Sequence, residues 1–489
     1  MLAVSPPADT SNFEQFYDDY KGEMATTQEP ILDGGWDEPV IVSPSSLPST
    51  SASGSSSPAQ NGYLGTSTSL GLLIRSKYQG WERSFELHHD WPIPRITKSD
   101  EVLIRNVSIG LNPVDFKRGL LIAEFAIYSA SVLYNFGISG TPWILGRDIA
   151  GVVEKVGEGV KDVNVGERVW VCADSRDIRS GAYQAYSIAR CAHIGKISEE
   201  ITNEQAATLG TGLVTAAIVA YWFFDWCRAG SLDGNKKMPT ICRMEHDYDN
   251  KEGNWVLIYG GGSITGIYLT QLARLSNLQV ISIASPSNFD YLTSLGATHC
   301  IDRYLEPEEI QAKVIELVGD EDITYCLDAV GSKTATICHG ILCSAGKKQG
   351  QMICLAGDPK PKSINEDHNR PAKMRRNAAG KKSGIDVVKE LNRNVKIHKI
   401  SFSTTFYGDD LFAKSMMADL NTLLQRKELL PARTKVWPDG LAGVRGGLEA
   451  LRDNLAPRGK KLVVNLADTP HADLTNLGVR SELGWNGMV

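Results

Sequence analysis

The chain of 489 residues has no apolar run of the about 20 residues that a membrane span takes, no C-x-x-C pair and no surplus of basic charge. These lacks remove whole classes of function. Without a long apolar run an integral membrane protein is not expected. The nine cysteines are scattered, at Cys172, Cys191, Cys227, Cys242, Cys300, Cys326, Cys338, Cys343 and Cys354. Their odd number and wide spacing do not suit a disulfide framework and read as reduced intracellular thiols. The formal net charge of -6 argues against nucleic acid or an anionic membrane surface as partner. The N-terminal stretch carries Glu14, Asp18, Asp19 and Glu23 without an apolar core, and no arginine precedes Arg75. It therefore resembles neither a secretory nor a mitochondrial leader. Gly487-Met488-Val489 is no peroxisomal address. The expected location is cytoplasmic.

The length suits two or three domains, and 42% hydrophobic residues suffice for a sizeable core. Residues 1–68 form a tail dominated towards its end by Ser, Thr, Gly and Pro. Such a segment buries too little apolar surface to offset its ordering entropy, so disorder is expected there. From residue 69 to 204 short β-branched runs alternate with turns: Val102-Leu103-Ile104, Ile149 to Val156, and Val169-Trp170-Val171 after Gly166. This texture predicts a small β domain. Over residues 205–402 strands alternate with helices. Trp255–Tyr259, Val280–Ala284, Ile323–Val330 and Met352–Ala356 read as buried strands. Ile264, Tyr268, Leu272 and Leu275 recur at helical spacing, and Phe289–Leu295 is a short helix closed by Gly296. Alternating β and α elements predict a doubly wound parallel sheet, an α/β fold. Two polar segments read as insertions, Asp225 to Gly253 and Pro359 to Gly384. The second is basic, through Lys360, Lys362, Arg370, Lys373, Arg375, Arg376, Lys381 and Lys382. No aromatic residues interleave those charges, so a solvated loop is expected rather than a nucleic-acid site. Residues 469–489 form a C-terminal tail.

The strongest chemical motif is the strand Val256-Leu257-Ile258-Tyr259 running into Gly260-Gly261-Gly262-Ser263-Ile264-Thr265-Gly266. Glycines let backbone approach a pyrophosphate, and the following helix aims its N–H groups at the charge. Ser263 and Thr265 add hydroxyl donors. Counted from Gly260, the closing glycine falls one position later than in G-x-G-x-x-G. A glycine turn alone can be an ordinary strand-to-helix connection; here the flanking elements are those a dinucleotide site requires. An NAD site usually carries an acid at the end of the second strand, roughly 20 residues on. Here that strand ends Ile283-Ala284-Ser285-Pro286-Ser287-Asn288, with no acid to repel a 2′-phosphate and with Ser285, Ser287 and Asn288 as donors. NADPH is the expected cofactor. Arg303 and Tyr304 are candidates to flank the adenine and phosphate, although Tyr304 reads equally well as a surface tyrosine.

Gly146-Arg147-Asp148-Ile149-Ala150-Gly151-Val152-Val153-Glu154-Lys155-Val156-Gly157, continued by Val165-Gly166-Glu167-Arg168-Val169, resembles the core signature of the medium-chain dehydrogenase/reductase superfamily. Leu111-Asn112-Pro113-Val114-Asp115-Phe116-Lys117 resembles a segment of its zinc-free quinone and enoyl reductases. Ser285-Pro286-Ser287-Asn288 and Asp302-Arg303-Tyr304 resemble loops of the stand-alone fungal enoyl reductases that serve polyketide synthases. Gly459-Lys460-Lys461-Leu462-Val463-Val464 resembles the C-terminal strand of the family, and Lys460 joins the cofactor-binding set. The resemblance covers roughly Leu70 to Leu466. It implies a GroES-like β-barrel domain over 69–204 completed by 403–468, the Rossmann domain between them, and an active site in the cleft.

Three zinc-ligand positions of this superfamily read differently here. The turn before Asp115 holds Leu111-Asn112-Pro113, the usual Gly-His-Glu reads Gly146-Arg147-Asp148, and the second cysteine falls near Thr211. A structural zinc loop needs four close cysteines, and only Cys172 follows the Val169 strand. Cys338, His339 and Cys343 read as core and surface residues of a helix. No metal is expected. The resemblance sets Asn112, Asp115 and Lys117 beside the nicotinamide. Lys117 is the candidate to stabilise an enolate or help deliver a proton, while Asp115 also reads as a brace of the barrel. Tyr183 and Tyr186 are weaker proton-donor candidates, and Thr211 and Thr215 are candidate cofactor contacts. Asp328 to Ser332 and Ala356-Gly357 end strands that face the cleft. His88, His89 and His193 read as structural.

The function these readings imply is transfer of hydride from NADPH to an activated double bond, in an enoyl thioester or an enone. Quinone or aldehyde reduction is the alternative. A non-catalytic NADPH-binding sensor or scaffold is a reading of another class. The partner is a small-molecule substrate, including one presented as a carrier-bound acyl thioester. Nucleic acid and membrane are not expected, and the oligomeric state is open.

Overall fold

The apolar runs separated by turns pair as antiparallel strands, and those separated by helices pair in parallel. The computed structural model describes residues 67–74, 85–115, 142–226, 254–346, 348–360 and 395–471. Most of the 1–68 tail, most of both insertions, the C-terminal tail from 472, and Lys117 lie outside the described residues.

In the antiparallel half, β1 (Thr68–Ile74) and β2 (Phe85–Pro92) form a two-stranded ribbon. A larger sheet is built from β3 (Glu101–Gly110), β4 (Asp148–Val156), β5 (Arg168–Cys172), β6 (Tyr186–Arg190) and β7 (Ile194–Lys196). Its long strand β3 pairs with β4 and, over Glu101 to Arg105, with β6. The chain then enters α1 (Asn203–Ala206) and α2 (Gly210–Ala217), which runs on into a π-helical turn over Ile218–Phe223.

The parallel half follows as β8 (Asn254–Tyr259), α3 (Ile264–Leu275), β9 (Gln279–Ala284), α4 (Phe289–Leu295), β10 (His299–Asp302), α5 (Pro307–Val318), β11 (Asp322–Asp328), α6 (Ser332–Ala345), β12 (Gly350–Cys354) and β13 (Val395–His398). The spatial order is β10-β9-β8-β11-β12-β13, and every pairing is parallel. This is the doubly wound Rossmann order, in which the connection reverses direction between β8 and β11 and opens a crevice at their carboxyl ends. Gly296 closes α4 in the left-handed region, as its position predicted.

The chain then returns to the first half through α7 (Asp410–Gln425), β14 (Thr434–Val436), α8 (Val444–Arg452) and β15 (Lys461–Asn465). β15 lies antiparallel to β3, with Val463 opposite Gly110. The side chains of the antiparallel strands alternate between two cores. Ile149, Val171, Leu462 and Val464 face the barrel interior. Ala150, Trp170, Cys172 and Val463 face the other way, into a core shared with α2, α3 and α7. A third core covers the opposite face of the parallel sheet. Among the described residues no helix is long and apolar enough to cross a membrane.

Candidate functional site

The glycine turn leaves β8 at Gly260, whose φ of 86° is a left-handed conformation that disfavours side chains. The N–H groups of Gly260 and Gly261 donate to the Ile283 carbonyl at the end of β9, which ties the turn to the neighbouring strand. The Ser263 hydroxyl caps α3 by accepting from the Gly266 N–H at 3.1 Å. A side chain on Gly266 would begin 2.6 Å from the Gly260 carbonyl oxygen and 2.9 Å from the Gly261 Cα. Gly266 thus closes the turn against the helix despite its shifted spacing. Ile264 and Thr265 are half-buried at the helix start.

The loop after β9 folds back onto this turn. The buried Asn288 amide nitrogen lies 2.8 Å from where a Gly262 side chain would begin, and its amide oxygen 2.4 Å from the equivalent point on Gly459. The segment before β15 is therefore brought to the same place, with Lys460 exposed beside it. Ser285 is buried with its hydroxyl 3.4 Å from the Tyr304 hydroxyl, and Ser287 is exposed. Tyr304 is 68% exposed, with the Arg303 guanidinium 5.2 Å from its ring centroid. The structure thus gathers the glycine turn, Ser285, Asn288, Arg303, Tyr304 and Lys460 at one end of the crevice. These hydroxyls, amides and cations suit the phosphates of a dinucleotide.

A buried polar network occupies the junction of the two halves. Asp148, at the start of β4, accepts from the Thr211 N–H and hydroxyl, both at 2.6 Å, and from the Lys461 ammonium at 2.6 Å. Lys461 also donates to the Asn112 side-chain oxygen at 2.5 Å. Asn112 in turn donates its backbone N–H to Asp115 at 3.0 Å, and Tyr183 donates its hydroxyl to the same carboxyl oxygen at 2.9 Å. The other Asp115 oxygen is buried without a partner. Burial, and then the neighbouring Asp148 charge, push the Asp115 carboxyl up to about 6. Burial and Asp115 hold the Tyr183 hydroxyl well above the usual phenol range. Asn112, Asp115, Thr211 and Tyr183 are thus tied together, and Tyr183 serves as a hydrogen-bond donor to the carboxylate. Thr215 is turned back onto the Thr211 carbonyl at 2.6 Å.

A second group adjoins this network. The Cys172 sulfur lies 3.9 Å from the Thr211 hydroxyl and 3.5 Å from that of Tyr407. The Tyr407 hydroxyl donates to the carbonyls of Cys172 and Ala173, and accepts from Arg147 at 3.2 Å. Lys461, Asp148, Arg147, Phe402 and Tyr407 went unassigned from sequence. The strand alternation held a signal for the first two, since Lys461 shares the face of Val463 and Asp148 that of Ala150. Phe402 and Tyr407 carried none, because they arrive from a loop beyond an insertion. Beside the glycine turn, at the end of β11, Asp328 accepts from the Val330 and Gly331 N–H groups, and burial raises its carboxyl to about 6. His88 contacts Glu86, and His193 is buried against the Phe406 carbonyl at 3.1 Å.

Residues 98–217 match the alcohol dehydrogenase GroES-like domain. The chain is 27% identical over 394 residues to the trans-enoyl reductase FSL5 of Gibberella zeae, covering 78% of this chain and 93% of that one. The CurK enoyl reductase structure superposes with a TM-score of 0.59 at 16% identity, over 81% of this chain and 98% of that one. A mycobacterial protein solved in complex with NADPH superposes at 0.56 with 20% identity, over 81% of this chain and all of the other, at 100%. A GroES-like barrel, a Rossmann sheet in doubly wound order and a dinucleotide turn at their junction identify the chain as a member of the medium-chain dehydrogenase/reductase superfamily of nicotinamide-dependent oxidoreductases.

Proposed function

We propose that this chain is an NADPH-dependent, zinc-independent reductase that transfers hydride to a double bond conjugated to a carbonyl, as in an enoyl thioester or an enone. The observation that carries the cofactor reading is the end of β9. Ser285 and Asn288 stand there with no acid from Ile283 to Asn288, and Arg303 after β10 and the exposed Lys460 before β15 join them around the glycine turn. Bound there, the reduced nicotinamide supplies the hydride, and the chain's own groups orient it and hold charge. The donors at the former metal positions are an amide, a guanidinium and a threonine hydroxyl engaged with Asp148, a set that does not suit zinc. Relatives named trans-enoyl reductases support an enoyl acceptor over a quinone or aldehyde, and a carrier-bound acyl thioester as the form presented. A cytoplasmic location belongs to the same reading. Lys117 remains the proposed proton-delivering residue, with Asn112 and Asp115 as its neighbours in sequence.

The test is NADPH and NADH oxidation by the full-length protein against enoyl thioesters, enones, quinones and aldehydes, with zinc content measured on the same preparation. NADPH-selective turnover of a conjugated carbonyl without stoichiometric zinc is the expected result. Tight NADPH binding with no acceptor reduced would favour the sensor or scaffold reading. Two variants refine it. Ser285→Asp sets a carboxylate against the 2′-phosphate and should weaken NADPH binding about tenfold, with NADH affinity unchanged; equal NADPH affinity in titration would remove the phosphate assignment. Lys117→Ala should lower turnover and leave NADPH affinity intact, and unchanged turnover would remove its catalytic role.

A further inference from the structure

Among the described residues the Arg147 guanidinium has no carboxylate in an ion pair with it. It is half-buried at the start of β4, and its Nε is shielded from solvent without a hydrogen bond. Among the described residues its one side-chain hydrogen bond goes to a neutral hydroxyl, that of Tyr407 at 3.2 Å, and its Cζ lies 4.4 Å from the Phe402 ring centroid. Among the described residues no acid forms an ion pair with it. Asp115 and Asp174 act on it through space, and they and Asp148, the next residue in the chain, have donors of their own. Asp115 holds Tyr183 and Asn112, Asp148 holds Lys461 and Thr211, and Asp174 is bound by Arg176. Arg176 is itself a second cation, 5.3 Å from the other ring that holds Arg147 in place, Tyr407. A guanidinium with no direct ion pair and a shielded Nε leaves donors unused, and unused buried donors in a site commonly await a ligand.

The location says which ligand. Tyr407 touches Cys172, and Cys172 touches Thr211 at the start of α2. The next residue, Gly212, lies against Ile264 of the dinucleotide turn, whose Cγ2 is 2.5 Å from where a side chain on Gly212 would begin. Arg147 therefore lies one short row of residues from the turn. Aromatic contact and the Tyr407 bond fix its plane, so its remaining N–H groups form a preorganised fork for oxygen.

We propose that Arg147 is an oxyanion-binding subsite of the substrate cleft, taking the carbonyl oxygen of the acceptor and favouring it as it gains negative charge. The identity of the acceptor rests on the reductase reading above, whereas the capture of an oxyanion does not. The class of ligand is a carboxylate or a conjugated carbonyl that becomes an enolate.

The experiment uses 3-phenylpropanoate, which cannot be reduced at a conjugated bond, and its neutral amide. Each is titrated calorimetrically into the full-length protein with and without NADPH. The carboxylate should bind the parent at least about tenfold more tightly than the amide. That preference should vanish in Arg147→Gln and persist in weakened form in Arg147→Lys, with NADPH affinity unchanged in both. A merely structural Arg147 would alter the binding of both probes together. The absence of a carboxylate preference in the parent, or its survival in Arg147→Gln, would overturn the proposal. Turnover of enones that is insensitive to Arg147 would overturn it while leaving the reductase reading standing. An Arg147-dependent preference in a protein that reduces nothing would support the subsite and sink the reductase reading instead.

Discussion

Replacing Lys461 with methionine is expected to destabilise the protein by about 3–5 kcal/mol at pH 7, the range for removing one partner of a buried ion pair. Lys461 is 3% exposed and Asp148 0%, with the ammonium 2.6 Å from one carboxylate oxygen. The methionine fills most of the volume, so the cost is electrostatic. Asp148 would remain charged in the interior, with only Thr211 donating to it, and the Asn112 oxygen would lose its donor. The double variant Lys461→Met, Asp148→Leu should recover most of the loss, because an apolar pair of similar volume is often no less stable than the ions it replaces. Recovery should stop short by about 1 kcal/mol, since Asp148 also satisfies the free Thr211 N–H in the first turn of α2. Urea unfolding of the parent, the single and the double variant at pH 7 measures these differences. A single variant within 1 kcal/mol of the parent would show that the pair is solvated in solution.

That pair also marks where the sequence stopped being readable. The parallel sheet was legible because each strand is a buried apolar run and each helix repeats its apolar residues at 3.6 spacing. Gly296 and the glycine turn were legible because backbone conformation there leaves few alternatives to glycine. Ser285 and Asn288 were legible because they follow the second strand directly. β2 was not, since Phe85-Glu86-Leu87-His88-His89-Asp90 mixes charge into a strand of a short two-stranded ribbon. Lys461 was missed in favour of Lys460 although period-two alternation separates them. Lys461 shares the face of Val463, which meets the nucleotide half, and Lys460 precedes the strand and is exposed. Nothing local in the sequence brings Tyr407 and Phe402 to Arg147, more than 250 positions away in the chain, at |i−j| of 260 for Tyr407. Only the return of the chain after β13 creates that contact. Reading Arg147 only as a residue unable to bind zinc therefore overlooked its own chemistry.

Asp115→Asn is expected to gain about 3 kcal/mol of stability relative to the parent between pH 4 and pH 7. The estimate converts a rise from 3.8 to about 6 at roughly 1.4 kcal/mol per unit. Burial disfavours the Asp115 carboxylate most, and the Asp148 charge adds to this. Tyr183, Lys461 and Arg147 oppose both and prevail over neither. Between those two pH values the folded state binds more protons at this position than the unfolded chain. Its contribution to stability is therefore fully present below pH 3.8 and is lost as the pH rises through about 6. Asparagine has nearly the same shape, can accept from Tyr183 and the Asn112 N–H, and does not ionise. Subtracting its unfolding free energy from the parent's at each pH cancels the other titrating groups, Asp328 included. A difference that stays flat from pH 4 to pH 8 would mean that Asp115 ionises as freely as in the unfolded chain. The same variant separates its two sequence readings. If Asp115 only braces the barrel, the pH profile of kcat keeps its shape while stability shifts. If it handles a proton, the limb of that profile near pH 6 disappears as well.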